Sequence, residues 1–427
     1  MQLKTFHTIA FCLIGLGTLA CDINSSSNDA SSSSAAPNSS AGASSAGTSA
    51  QAGQAGGNAS GAGPSQGGSA GSGQSAGAAG VSSSSAGSAG IRGLSPLDAV
   101  KEMKLGWNLG NTLDAFPGGE TGWGNPLTTK QMIDAVKAAG FNTVRLPVTW
   151  KDHLGPAPDY SIDATWLARV QEVTNYVLSN GMYAIVNTHH DEWVSLMPDA
   201  DQALITDKLS KLWTQIATAF KNSDDHLILE TLNEPRTTDA TEWTGGTPAA
   251  RALLNGYNAA AVKAIRDTGG NNALRFLMIP THGANAASQC INELVIPNDD
   301  PRIIISLHTY YPWAFAGDSA GTAEFGSASD LAAMNSDLDR IAALTIKKGR
   351  AVVIGEWGSL DKGNTPARVV HAQAYAAAIR QHGFVPVWWD NNVVGADAGF
   401  GLLNRSTLSW YFPEIKDALN AGAASVP

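Results

Sequence analysis

From about residue 100 to the C-terminus the chain alternates short apolar runs with amphipathic stretches, and this pattern restricts its fold more than any other feature. The apolar runs are Leu105–Gly110, Thr143–Val148, Tyr183–Thr188, Leu227–Leu232, Arg275–Pro280, Ile303–Leu307, Ala351–Gly355 and Phe384–Trp388. Between them lie helical patterns at Lys130–Ala139, Asp163–Ser179, Asp201–Phe220, Pro248–Asp267, Leu331–Lys348 and Pro366–His382. Strands that are apolar along their whole length are buried on both faces, which requires helices to cover a parallel sheet. Eight such units in residues 93–427 predict an α/β fold, a (β/α)8 TIM barrel, as one catalytic-sized domain. An open doubly wound sheet is the alternative, but the glycine fingerprint expected after its first strand is absent.

The preceding residues have a different composition. Lys4 and His7 are followed by the apolar run Ile9–Leu19 and then Ala20-Cys21, the pattern of an export signal too short to span a bilayer. Ala20-Cys21 resembles a bacterial lipobox, although Thr18 stands where Leu is usual. The expectation is a lipoprotein signal over 1–20 and lipidation at Cys21, with export to the bacterial outer membrane or cell surface. Ordinary secretion is the alternative. Residues 21–92 are rich in Ser, Ala and Gly; 25–90 contain one charged residue, Asp29, and no aromatic one. Such a segment buries too little apolar surface to offset its chain entropy, so it reads as a flexible linker with a mean span of roughly 45 Å. Of the three cysteines, only Cys290 falls in the barrel region, which excludes a disulfide within it.

Seven of the eight runs end in polar or aromatic side chains: Asn111 after the first, Arg145 within the second, His189-His190-Asp191 after the third, Asn233-Glu234 after the fourth, His308 and Tyr310 after the sixth, Glu356 after the seventh, and Trp389-Asp390-Asn391 after the eighth. In a barrel these ends form one face, where active sites of this architecture lie. Glu234 and Glu356 end strands on opposite sides of the mouth. A lone buried carboxylate is costly unless paired, so a buried ion pair is the competing explanation for each. Two carboxyl groups facing one another across a sugar ring are the apparatus of glycosidic bond cleavage: one donates a proton to the leaving oxygen, the other attacks or stabilises the anomeric carbon.

The net charge is −10 and no basic cluster occurs, which argues against a nucleic-acid partner. The His189-His190 pair lacks a third ligand at zinc-like spacing, so no metal is expected, and nothing points to a cofactor. No Gly-x-Ser-x-Gly elbow or P-loop occurs in the barrel. Among 12 tryptophans, Trp123, Trp193, Trp313 and Trp389 lie near loops after strands, where indole faces serve as sugar platforms. Trp107, Trp150, Trp166, Trp213 and Trp410 read as core.

The ordered set Leu-Gly-Trp-Asn-Leu-Gly-Asn-Thr (105–112), Arg145, His189-His190, Asn233-Glu234-Pro235, His308-Thr309-Tyr310 and Glu356-Trp357-Gly358 closely resembles glycoside hydrolase family 5 over about residues 95–420. Glu-Thr-Gly-Trp-Gly-Asn-Pro (120–126) and His-Thr-Tyr-Tyr-Pro-Trp (308–313) look like its subfamily 4, which holds endo-β-1,4-glucanases, many of them active on xyloglucan. The resemblance implies a retaining mechanism with Glu234 as acid/base and Glu356 as nucleophile, their carboxyl groups about 5–5.5 Å apart. It implies substrate contacts at Asn111, Asp114, His189, His190, Asn233, Trp313 and Trp389, and with less weight Asp390 and Asn391. Arg145 would hold Glu356 ionised, Tyr310 would donate to Glu356, and His308 would sit beside Glu234. The expected partner is a β-1,4-glucan, with xyloglucan preferred, acted on by a monomer. Mannanase, xylanase or mixed-linkage glucanase activity on the same scaffold stays open, as does a glycan-binding lipoprotein without turnover.

Overall fold

A computed structural model describes residues 90–426. The expected signal peptide, Cys21 and nearly all of the linker lie outside the described residues. Eight parallel strands, β1 (Gly106–Asn108), β2 (Thr143–Leu146), β3 (Tyr183–Asn187), β4 (Leu227–Glu230), β5 (Leu277–Asn285), β6 (Ile303–His308), β7 (Ala351–Trp357) and β8 (Val385–Trp388), pair in sequence order and close into a barrel. Closure pairs Gly106 with Val387 and Trp107 with Trp388. A Cβ at Gly106 would lie 2.7 Å from a Val387 methyl, so the seam needs a residue without a side chain there.

The helices are α1 (Pro96–Glu102), α2 (Lys130–Ala138), α3 (Ala164–Leu178), α4 (Gln202–Ala219), α5 (Pro248–Asp267), α6 (Ser288–Asn292), α7 (Trp313–Ala316), α8 (Ala328–Leu344), α9 (Thr365–Gln381) and α10 (Pro413–Ala424). Where the sequence places helix starts at Asp163 and Asp201, these residues are N-caps whose carboxylates accept the N–H groups of Trp166 and Leu204. α8 starts three residues earlier than expected, because Ser327 and Asp330 form a reciprocal capping box. α1, α6, α7 and α10 have no counterpart in the sequence reading; α1, α6 and α7 are short, and α1 and α10 open on proline.

Two apolar clusters build the core. The larger fills the space between strands and helices. The smaller lies inside the barrel, where Ile185, Ile228, Ile304, Val353 and Val385 meet Ala99, Val100 and Met103 of the α1 segment, which closes the floor. Side chains two residues further along a strand point the same way. Thus Ile185 is followed on its face by Asn187, Ile228 by Glu230, and Ile304 by Ser306. The barrel interior thereby changes from apolar at the floor to polar at the mouth.

The chain enters at that floor. Asp225, just before β4, donates its N–H to the Gly90 carbonyl. Arg92 donates from Nε to Asp225 (2.8 Å), from Nη1 to Glu102 (2.9 Å) and from Nη2 to the Tyr183 hydroxyl (2.8 Å).

Candidate active site

Arg145 is fully buried and organises the mouth. Its Nη1 donates to Glu356 Oε1 (2.8 Å) and Asn108 Oδ1 (3.1 Å), its Nε to Glu230 Oε2 (2.7 Å), and its Nη2 to Asn233 Oδ1 (2.7 Å). One guanidinium thus ties four strands or their following loops to one another. Its bond to the Asn233 carbonyl oxygen leaves the amide nitrogen of that residue free to turn toward a ligand. Glu230 completes its own set by accepting from Ser306 Oγ. Asn108 donates on to the Gly355 carbonyl at 2.9 Å.

Glu356 also accepts from the Tyr310 hydroxyl, 3.1 Å from Oε2. Burial pushes its carboxyl up and the Glu234 charge adds to this, while His308 and Arg145 pull it back. The balance leaves its carboxyl above the ordinary value, while the hydrogen bonds its two oxygens accept from Arg145 and Tyr310 work towards the ionised form. Burial holds the Tyr310 phenol well above its ordinary value, so it stays a donor.

Glu234 lies 2.7 Å from His308 Nδ1, and the same nitrogen is 3.8 Å from Glu356 Oε2. An oxygen of each carboxylate and a ring nitrogen of His308 fall within 4.8 Å of one another. Burial raises Glu234, but the His308 hydrogen bond and charge, with Arg236 and Arg145, outweigh it and bring its carboxyl below the ordinary value. His308 is raised: burial works against its charged form, and Glu356 and Glu234 overcome that. A proton on the Glu234–His308 hydrogen bond is therefore well stabilised. The register of β6 against β7 slips between the Leu307–Ile354 and His308–Glu356 pairs, which brings these two side chains level.

His189 has a defined tautomer. Asn187 Oδ1 accepts the Val148 N–H at 3.0 Å, so the Asn187 amide nitrogen faces His189 Nδ1 at 3.2 Å and donates to it. The His189 proton is then on Nε2. Burial keeps this ring neutral. It lies parallel to Trp389, with an interplanar angle of 2° and centroids 5.9 Å apart. The Trp389 ring rests on the backbone of Gly110, where a Cβ would come within 2.7 Å of it. His190 packs against Phe116 and Trp123 and has its Nε2 3.9 Å from Asp114 Oδ2. Burial lowers it to about 4.

Other expected contacts are placed differently. Asp114 is fully buried, and its carboxylate accepts the N–H groups of Asn111 (3.0 Å) and Thr112 (2.7 Å). It shapes the turn that presents Asn111, a residue with φ of 57°. Burial raises its carboxyl to about 6. Asp390 does not face the cleft. It is fully buried and takes hydrogen bonds from Trp107 Nε1, the N–H groups of Asn392, Leu402 and Leu403, and Arg405. Asn391 is likewise bound within its loop, to Ala398 and Val393. Trp313 opens α7 with its ring over Gly317 and stays 45% exposed.

The sequence reading missed Asn108, Glu230, Ser306 and Arg236. Glu230 carried a signal, since it and Arg145 are ionisable residues inside otherwise apolar strand cores. For a metal, Asp114, His189 and His190 bring ligand atoms within 4.8 Å. However, the Asp114 oxygens and His189 Nδ1 are already occupied as described, which leaves an incomplete donor set.

A closed (β/α)8 barrel with two carboxyl groups facing across its mouth defines an enzyme of the glycoside-cleaving class. Residues 108–395 match the family model described as cellulase (glycosyl hydrolase family 5). The chain belongs to glycoside hydrolase family 5. It is 52% identical over 339 residues to "Cellulase/esterase CelE" of Acetivibrio thermocellus, covering 79% of this chain and 41% of that protein, so it spans less than half of that relative. It is 50% identical over 340 residues to "Endoglucanase B" of Clostridium cellulovorans, covering 78% of this chain and 77% of that one. Among solved structures, a GH5-4 broad-specificity endoglucanase from Clostridium acetobutylicum superposes with a TM-score of 0.75 at 49% identity, covering 77% and 99% of the two chains. A xyloglucan-specific endo-β-1,4-glucanase of the family from a metagenomic library, in complex with cellotriose, gives 0.73 at 44% identity, covering 76% and 97%.

Proposed function

We propose that this chain is a retaining endo-β-1,4-glucanase of plant cell-wall β-glucan, with xyloglucan its preferred substrate. One observation carries the mechanism: the two carboxylates lie within 4.8 Å, one clamped by Arg145 and Tyr310, the other hydrogen-bonded to His308. An oxygen of each lying that close supports the retaining class, in which the carboxyl groups stand about 5–5.5 Å apart. An oxygen of Glu356 attacks the anomeric carbon as the bond to the leaving oxygen breaks and Glu234 gives that oxygen its proton. In the second half Glu234 takes a proton from water, the water oxygen bonds to the same carbon, and Glu356 leaves as carboxylate. Asn233 would donate to the sugar 2-hydroxyl, a contact that strengthens in the transition state. Trp389 would lie under the sugar beside the broken bond, and Asn111, His189 and His190 would line the sugars beyond it.

The endo-glucanase reading is supported by relatives and structural neighbours named for that activity, and xyloglucan by the xyloglucan-specific neighbour. Initial rates and viscosity loss on tamarind xyloglucan, carboxymethyl cellulose, barley mixed-linkage glucan and glucomannan test both. Fast viscosity loss is expected on all β-1,4-glucans, fastest on xyloglucan. A faster rate on mixed-linkage glucan or glucomannan removes the preference, and no turnover on any removes the enzyme.

The same proposal makes the protein a monomeric lipoprotein, lipidated at Cys21 and carried on the 21–92 linker. Detergent phase partitioning of the full-length chain expressed in a Gram-negative host checks this. The wild-type chain is expected in the detergent phase and Cys21→Ala in the aqueous phase; equal partitioning of the two rules the anchor out.

A further inference from the structure

The loop after β4 places a second guanidinium beside Glu234. Arg236 Nη1 lies 3.7 Å from Glu234 Oε2 and donates to the Glu234 carbonyl at 3.2 Å. It does not lie there loosely. Its Nε donates to Glu242 Oε1 at 2.7 Å, and its guanidinium carbon stands 4.4 Å from the centroid of the Trp243 ring. The loop itself is clamped to β5: Gly283 donates its N–H to the Pro235 carbonyl at 2.7 Å, Thr237 its N–H to His282 Nε2 at 3.2 Å, and Asn285 its amide to the Trp243 carbonyl at 3.0 Å. Thus a carboxylate and an indole hold the fork-shaped cation in one place, and that place is the oxygen of Glu234 that His308 does not touch. The Arg236 side chain is 34% exposed and that of Glu234 is 18%, so the pair is partly screened but not solvated freely.

The geometry points to Arg236 as a positioning residue that orients Glu234 and sets how tightly it holds its proton, with Glu242 and Trp243 holding Arg236 in turn. This rests on the reading of Glu234 as acid/base. A double displacement needs Glu234 to donate a proton first and to accept one afterwards. When Glu356 is esterified its negative charge is lost, and with it the repulsion that favours a protonated Glu234. The fixed cation at Oε2 then favours the ionised Glu234 that activates water. Beyond Arg236, the charged and titratable groups facing Glu234 are His308, Glu356, Arg145, Tyr310 and His190. All five come from other strands or the loops after them, so none is removed by changing Arg236.

The test compares wild type, Arg236→Gln, Arg236→Lys, Glu242→Gln and Glu234→Gln on two substrates: cellotetraose, whose leaving sugar needs a proton, and 2,4-dinitrophenyl cellobioside, whose leaving group does not. Removing the cation makes Glu234 hold its proton more tightly, so the alkaline limb of kcat/KM for cellotetraose should move up by about 0.5–1 pH unit in Arg236→Gln. The shift should be smaller in Arg236→Lys and in Glu242→Gln, which keep a cation but loosen its place. kcat/KM for the dinitrophenyl substrate should stay within about threefold, because no proton is donated in that step. An unmoved limb in Arg236→Gln, or equal losses on both substrates in all three variants, overturns the inference. Glu234→Gln separates the two readings: its kcat/KM for cellotetraose should fall on the order of 10²–10⁴-fold, while its kcat/KM for dinitrophenyl cellobioside stays near wild type and only the kcat falls, because deglycosylation still needs the base. Equal effects on both substrates there would remove the acid/base reading itself.

Discussion

Glu356→Ala should reduce glucan hydrolysis on the order of 10⁵-fold, because without a nucleophile no covalent intermediate forms. The protein should fold normally, since the variant leaves Arg145 with Glu230, Asn108 and Asn233. The space left by the carboxylate admits a small anion. Adding azide should restore turnover of dinitrophenyl cellobioside and yield the α-cellobiosyl azide, the anomer expected when azide attacks from the face Glu356 occupied. Product configuration by proton NMR decides the matter. Activity within about 100-fold of wild type, or a β-azide, would mean that another group is the nucleophile.

The second large effect is on stability as well as rate. Arg145 is fully buried between two buried carboxylates, Glu230 and Glu356. Removing one partner of a buried ion pair leaves an uncompensated charge and costs roughly 3–5 kcal/mol. Arg145→Met should therefore lower the urea midpoint of unfolding markedly and abolish activity. Adding Glu230→Gln should recover part of the stability, because one of the two orphaned carboxylates is gone, and none of the activity, because Glu356 still lacks its guanidinium. Full stability in Arg145→Met alone would show that water enters the barrel mouth and replaces the cation.

The barrel was legible because its strands are so uniformly buried that polar residues stand out where they end. Arg145, Asn233, Tyr310 and Glu356 were found in this way and are hydrogen-bonded into one cluster, with His308 beside it on Glu234. The same uniformity hid the inward and outward alternation, so the polar layer of Asn108, Glu230 and Ser306 beneath the carboxylates went unseen. Asp390 shows the opposite failure. Its position after β8 suggests a ligand contact, but the loop folds back and supplies N–H groups from Leu402 and Leu403. Pairings between residues far apart in a loop, such as Arg236 with Glu242, leave no periodic trace. Nor does any local pattern record the width of the cleft, on which tolerance of branched glucans depends.

The clamp of Arg92 to Asp225, Glu102 and Tyr183 fixes the point where the chain joins the barrel, beneath β3 and β4 and at the end away from Glu234 and Glu356. The barrel is therefore a tool with its handle opposite its edge. Any carrier fused ahead of Gly90, whether a bead, a resin or a second catalytic module, is attached at the end of the barrel opposite the two carboxylates. Polymer strands much wider than the cleft can then be approached end-on, without the support standing in the way.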